Sequence, residues 1–301
     1  MLQKTLVTSL ILAMAVSAAM AADTTQAKSQ LSAAEIVSKN VAARGGLKAW
    51  RDVQTMSESG KLGAGGNRRD TLPTPAALPN DKRVGLQQLP SSPRLAQEAQ
   101  LPFVMEMERP RKTRFEIKFN GQTAVQVYDG TNGWKVRPFL NRHDVEPYTA
   151  DEVKIASTQT EIDGPLVDYA AKGTRVELAG MEKVGDQDTY KLMLTFKSGK
   201  SIHVWIDAKT FLEAKVEGQP RRLDGKMHPV EIYYHDYRQV SGLQIPFELE
   251  TKVLPVDNPA TKIKERPVAP EKIVIDKVEV NPKLDASHFS KPTTDVAVVT
   301  H

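Results

Sequence analysis

The chain has 301 residues, 40% of them hydrophobic and 26% charged, with 41 Lys and Arg against 37 Asp and Glu. This is the composition of a folded chain, long enough for one large domain or two small ones, and its mixed charges form no basic stripe, so no nucleic-acid partner is expected. It has no cysteine, which rules out disulfides, a thiol nucleophile and an acylated cysteine, so the chain is not expected to be a lipoprotein and must be held by core burial.

At the N-terminus, Lys4 precedes the apolar run Leu6 to Val16 and the small-residue site Ala19-Met20-Ala21. A positive start, a short greasy stretch and an A-x-A site predict a signal peptide over 1–21 and export to the periplasm. The run is shorter than the ~20 residues a membrane span needs. No later stretch is apolar enough, so the processed chain 22–301 is expected not to span a membrane.

Ser32-Ala33-Ala34-Glu35 reads as a capping box. Ile36, Val37 and Val41 follow at helical spacing, and Gly45-Gly46 supplies the stop. A short turn with Leu47 and Trp50 leads into a first strand, Val53 to Leu62. From Gly63 to about Gln100 the pattern is lost among Pro73, Pro75, Pro79, Pro90 and Pro93, so 63–100 reads as a flexible insertion.

Strands then follow closely. Phe103, Met105 and Met107 share one beat; Phe115 and Ile117 alternate with Arg114, Glu116 and Lys118, and Asn120-Gly121 is a hairpin turn. Trp134 lies in a short strand after Asp129-Gly130 and Asn132-Gly133. Between Thr149 and Lys172 the period becomes helical, with one helix starting at Ala150 and a second lined by Ile162, Leu166 and Tyr169. Strands resume over Thr174–Leu178, Tyr190–Phe196, Ser201–Ile206 and Leu212–Val216. The hairpin Pro229 to Val253 turns at Ser241-Gly242, with Val230, Ile232 and Tyr234 answered by Leu243, Ile245, Phe247 and Leu249. Pro246 lacks an N–H, so that strand should not be fully paired there and should begin or border the sheet. A final strand runs Ile273–Val280.

The expected architecture is mainly β: a single curved antiparallel sheet of about eleven or twelve strands forming an open half barrel. An N-terminal helix and a helical lid (Ile162, Leu166, Tyr169) cover its concave side. Phe103, Met105, Met107, Phe115, Ile117, Trp134, Leu192, Leu194, Phe196, Ile232 and Phe247 would line a hydrophobic groove; simple core packing is the alternative for each of them.

No catalytic signature is found: no G-x-S-x-G, H-E-x-x-H or phosphate loop. His143-Asp144 and His235-Asp236 are strand neighbours that point to opposite faces and cannot orient one another. The six histidines lack metal-ligand spacing. No catalytic residue, metal or cofactor is expected, and the chain is not read as an enzyme; a hydrolase using His143 or His235 would need a cleft assembled by the fold.

Several motifs together resemble the LolA-like group, the outer-membrane lipoprotein-sorting superfamily. They are Ala43-Arg44-Gly45-Gly46 with Trp50, Met107-Glu108-Arg109-Pro110-Arg111-Lys112, Tyr128-Asp129-Gly130-Thr131-Asn132-Gly133-Trp134, Trp205-Ile206-Asp207, and Tyr237-Arg238 with Gly242-Leu243-Gln244-Ile245-Pro246, ending at Phe289. The resemblance implies an open barrel lidded by helices. It implies a periplasmic, monomeric carrier binding lipid or the acyl chains of lipoproteins, with delivery to the outer membrane and an envelope membrane-protein partner as further expectations. The alternative is a non-catalytic protein-interaction or envelope-sensing module with a filled core.

Overall fold

The computed structural model describes residues 31–64, 99–138, 141–158, 161–223, 225–256 and 269–293. The expected signal peptide and nearly all of the 63–100 insertion lie outside them. Among the described residues of the compact unit that starts at Ser32, three helices accompany fifteen strands.

The first helix, α1 (Ala33–Ala43), starts where the sequence said it would. Ser32 Oγ accepts the Glu35 N–H at 3.3 Å, and Glu35 Oε2 accepts the Ser32 N–H at 2.8 Å. These bonds satisfy two of the donors a helix start leaves open. The helix ends at Gly45, whose φ of +114° suits a residue without a side chain. A Cβ there would collide with the Gly242 carbonyl, so glycine lets the helix link press onto the sheet. The second helix, α2 (Leu47–Asp52), follows at once and buries Trp50.

The strands in chain order are β1 (Thr55–Ala64), β2 (Ala99–Glu108), β3 (Lys112–Phe119), β4 (Gln122–Tyr128), β5 (Gly133–Arg137) and β6 (Arg142–Pro147), then helix α3 (Ala150–Thr158). After it come β7 (Arg175–Val184), β8 (Gln187–Thr195), β9 (Ser201–Asp207), β10 (Glu213–Glu217), β11 (Arg221–Leu223) and β12 (Lys226–His228). The chain continues with β13 (Val230–Val240), β14 (Leu243–Val253), β15 (Glu271–Val280) and a 3-10 turn, Ala286–Phe289.

Thirteen strands form one antiparallel sheet in the order β6-β5-β4-β3-β2-β1-β15-β14-β13-β10-β9-β8-β7, and β11 and β12 pair separately. The first and last strands do not pair, so the curved sheet is an open barrel, as expected. It exceeds the expected count by β6 alone; β6 and the small β11–β12 pair read RHDVEP, RRL and KMH, with no apolar beat to betray a strand. The two hairpins expected from turn chemistry form with both turn residues at positive φ: Asn120-Gly121 and Ser241-Gly242.

Two expectations are corrected. The second helix of the lid does not form: 161–173 is a succession of turns. Gly164, at φ +80°, precedes Pro165, which disfavours helical backbone in the residue before it, and Asp168 takes φ +52°. And Pro246 is not in a border strand, since β14 lies between β13 and β15. However, β14 pairs with β15 only over Glu248–Thr251. Pro246 faces the same side as Gln244, beyond that seam, where Gln244 N–H instead donates to Arg44 O at 3.1 Å. The missing N–H therefore leaves no ladder bond unmade.

One face of the sheet carries the helices. Trp50 of α2, Val53 just after it and Val167 from the turns pack with Met56, Phe103, Leu243, Ile245, Phe247, Ile275 and Val278. Burying each large side chain of this set stabilises the fold by roughly 1.5–3 kcal/mol. Where β1 meets β15 the register shifts at Ser59/Gly60. A Cβ on Gly60 would run into the Val274 carbonyl, so the bulge depends on glycine.

Candidate functional site

The strand registers sort the expected lining residues by face. On β1 the beat Met56, Glu58, Gly60, Leu62 aligns with Met107, Met105, Phe103, Leu101 of β2, and Met105 and Phe103 align with Phe115 and Ile117 of β3. Across β15, Leu249 of β14 meets Ile273 and Tyr234; Ile232 meets Val216, which meets Val204, which meets Leu192. Phe103, Met105, Met107, Phe115, Ile117, Leu192, Leu194, Ile232 and Phe247 thus share the helix-bearing face. Phe196 falls in the turn after β8 and is half-buried.

Trp134 does not join them. It pairs with Val127, which pairs with Arg114, which pairs with Glu106, all on the opposite face, where Trp134 packs on Val125, Val127 and Val136. The even spacing of aromatic residues along the sequence hid this, because alternation on one strand says nothing of the phase of the next.

Burial is uneven across the helix-bearing face. On β8 and β9, Leu192, Leu194, Val204 and Ile206 are fully buried, as are Ile36 and Val37 of α1, which lies against β7; Val176 and Leu178 of β7 and Ile232 and Tyr234 of β13 are half-buried. Toward β3, Leu62, Met105, Met107, Phe115 and Ile117 are only half-buried, although they pack against the same core. Nearby, Phe119 remains 40% exposed. The half-covered part, on β15, β1, β2 and β3, is the candidate site. Of the expected lid residues, Leu166 is fully buried, Ile162 packs against the core and Tyr169 is half-buried.

The turn segment is pinned at Asp163, which is 2% exposed. Its carboxylate accepts Arg109 Nη2 at 2.9 Å and Lys172 Nζ at 2.6 Å. Its carbonyl accepts Arg44 Nη1 at 2.8 Å. Arg109 also donates to the carbonyls of Val53 (2.7 Å) and Trp50 (3.1 Å), so one guanidinium ties the β2–β3 turn, α2 and the segment together. Arg44 lies over the Trp50 ring, 4.3 Å from its centroid, and meets Glu213 at 3.4 Å. Its carbonyl receives the Trp50 indole N–H at 3.1 Å. Farther along, the Arg51 guanidinium holds the Asp168 carboxyl below the usual carboxylate range.

One residue departs from the apolar lining. Glu58 lies on the beat of Met56 and Leu62, between Met105 of β2 and Val278 of β15. Among the described residues it has no hydrogen-bond or salt-bridge partner. Burial alone pushes its carboxyl up to about 7. The signal was legible as a carboxylate on the greasy beat of M-x-E-x-G-x-L. Arg44, Arg109 and Asp163 sat inside or beside quoted motifs without a role, because both arginines reach Asp163 only across more than fifty residues of sequence.

Three of the histidines pair with a carboxylate: His203 with Glu217 at 2.9 Å, His288 with Glu106 at 2.9 Å, His235 with Glu250 at 3.7 Å. Among the described residues no three metal-ligating side chains come together, and no helix is long and apolar enough to cross a membrane.

The site is thus an open antiparallel sheet with a half-covered apolar face and a turn segment pinned over it. No family model and no curated protein matches the sequence. Solved structures do align with most of it. A domain named for outer membrane lipoprotein sorting, from Vibrio parahaemolyticus, is 13% identical with a TM-score of 0.45, covering 85% of this chain and 95% of that one. A LolA superfamily protein from Nitrosomonas europaea is 11% identical (TM-score 0.48; 87% and 99%), and a DUF1329 family protein from Desulfovibrio piger is 11% identical (0.49; 86% and 97%). The superfamily that the motifs resemble is thus also named among these structures. The likeness is one of fold, and function rests on the chain's own residues.

Proposed function

We propose that this protein is a periplasmic carrier that shelters the acyl chain of a lipid or lipoprotein on the strip of β15, β1, β2 and β3 beneath the turn segment, for delivery toward the outer membrane. The observation that carries this reading is the incomplete cover of one apolar face: Leu62, Met105, Met107, Phe115 and Ile117 are a contiguous half-buried stretch, while Leu192, Leu194, Val204 and Ile206 of β8 and β9 are fully buried. Surface of this kind is stabilised by apolar contact, at about 0.8 kcal/mol for each methylene buried. A chain with about ten buried methylenes gains some 8 kcal/mol gross, enough to outweigh the cost of ordering it. No covalent chemistry is needed. The methionines suit the task, being unbranched and able to repack around different chains.

The test is to purify the processed protein from the periplasm without detergent, extract it and identify bound lipid by mass spectrometry, alongside uptake of a fluorescent fatty-acyl probe. Bound acyl lipid, or saturable probe uptake that Met105→Asp abolishes, supports the carrier. Protein that is empty and inert to the probe refutes it.

A further inference from the structure

We propose that Glu58 reads the charge of the ligand, so that the strip takes an amphiphile bearing a protonated amine beside its hydrocarbon chain in preference to one bearing a carboxylate. The inference rests on the carrier reading and deepens it.

The geometry is that of a single polar group set into a greasy floor. Along β1 its same-face neighbours are Met56 and Gly60; across the ladder they are Met105 and Val278. Among the described residues no side chain or backbone group pairs with the carboxyl. The charged groups on the elements packed against this face are already taken: on α2 Lys48 pairs with Asp52 and Arg51 with Asp168, and in the turns Lys172 pairs with Asp163 and Glu161 with Arg109 and Arg111. Burial alone, and no neighbouring charge, moves its titration to about 7.

A half-buried carboxyl on an apolar floor, with no partner among the described residues, has two ways to become comfortable. It can stay protonated, or it can receive a cation. A ligand ammonium placed against it supplies the cation in a medium where the attraction is strong. A ligand carboxylate does the reverse, and binds only while Glu58 keeps its proton. The protein as a whole carries a formal net charge of +4, which would favour anions. A preference for amines therefore has to come from this local carboxyl.

The experiment compares dodecylamine, dodecanol and dodecanoate, below their micelle concentrations, by calorimetry on the full processed chain at about pH 5.5 and 8.5. Dodecylamine stays protonated across that range, as a lysine does, so its own titration does not interfere. We expect dodecylamine to bind at least about tenfold tighter than dodecanoate at the higher pH, with the ratio shrinking at the lower pH. Glu58→Gln should bring the ratio near one, Glu58→Asp should retain part of it, and dodecanol should bind all three proteins alike, which also shows that they are folded. An amine preference that survives Glu58→Gln, or that ignores pH, overturns the assignment while leaving the carrier reading intact. Failure of dodecanol to bind any of them overturns the carrier reading and this inference with it.

Discussion

Asp163→Ala is the most incisive perturbation of the cover. The side chain is nearly inaccessible and accepts two charge-assisted hydrogen bonds, from Arg109 and Lys172. Removing one partner of a buried pair costs about 3–5 kcal/mol, because the charges left behind lose their compensation. Here both cations keep an alternative: Glu161 lies 3.4 Å from Arg109 and 3.7 Å from Lys172, and both cations are about one-fifth exposed. The low end of the range is therefore expected, about 3 kcal/mol. Urea denaturation should show it as a lower midpoint at unchanged slope. The loss should also be local. Amide exchange of Gly164, Lys172, Gly173 and Thr174, which all donate within the turn segment, should quicken more than that of the β13–β14 ladder. A double-mutant cycle with Arg109→Ala should give a coupling of 1 kcal/mol or more, by order of magnitude. A loss below about 1 kcal/mol with unchanged exchange would mean that the pin is ornamental and that the cover is held by Leu166 and Val167 alone.

The remaining expectations concern the floor and the sheet. Glu58 titrates at about 7 in the fold against 4.5 when free, so folding takes up a proton. The native state is relatively best below pH 4.5 and loses ground as pH rises to 7; Glu58→Gln should therefore gain stability over wild type across that window, by about 1–3 kcal/mol above it, and parallel pH curves would refute the burial of this carboxyl. Gly60→Ala must push β1 from β15, since its Cβ would meet the Val274 carbonyl and lie 2.8 Å from the Ile275 Cα; a loss of at least about 2 kcal/mol in thermal unfolding is expected, with Ser59→Ala nearly neutral as the control. Phe115→Ser should weaken uptake of an acyl probe several-fold, whereas Trp134→Phe, on the opposite face, should leave it unchanged; equal effects would contradict the strand registers.

Much of this fold could be read before any coordinates, and the reason is local. The capping box at Ser32, the Asn120-Gly121 and Ser241-Gly242 turns and the beat of β13 and β14 are decided by neighbours in sequence. What escaped reading is what the third dimension supplies. Trp134 looked like lining because its own strand alternates, yet its phase relative to Phe115 is set by the β3–β4 and β4–β5 pairings. The segment 161–173 has helical spacing of apolar residues, but Gly164-Pro165 overrides the period with backbone constraints. The pinning arginines were visible as motif letters; that both converge on Asp163 depends on packing between α2, the β2–β3 turn and the segment.

Arg44 has one further implication. Its guanidinium grips the carbonyl of Asp163 in the cover, while its own carbonyl takes the Gln244 N–H beside the β13–β14 turn. The cover and the exposed tip of a long hairpin are thus joined through a single residue, with Gly45 wedged against Gly242 to keep the joint tight. On the proposed carrier reading, a guest that lifted the cover would pull on that tip, and the exposed hairpin turn would report from the outside whether the strip is occupied.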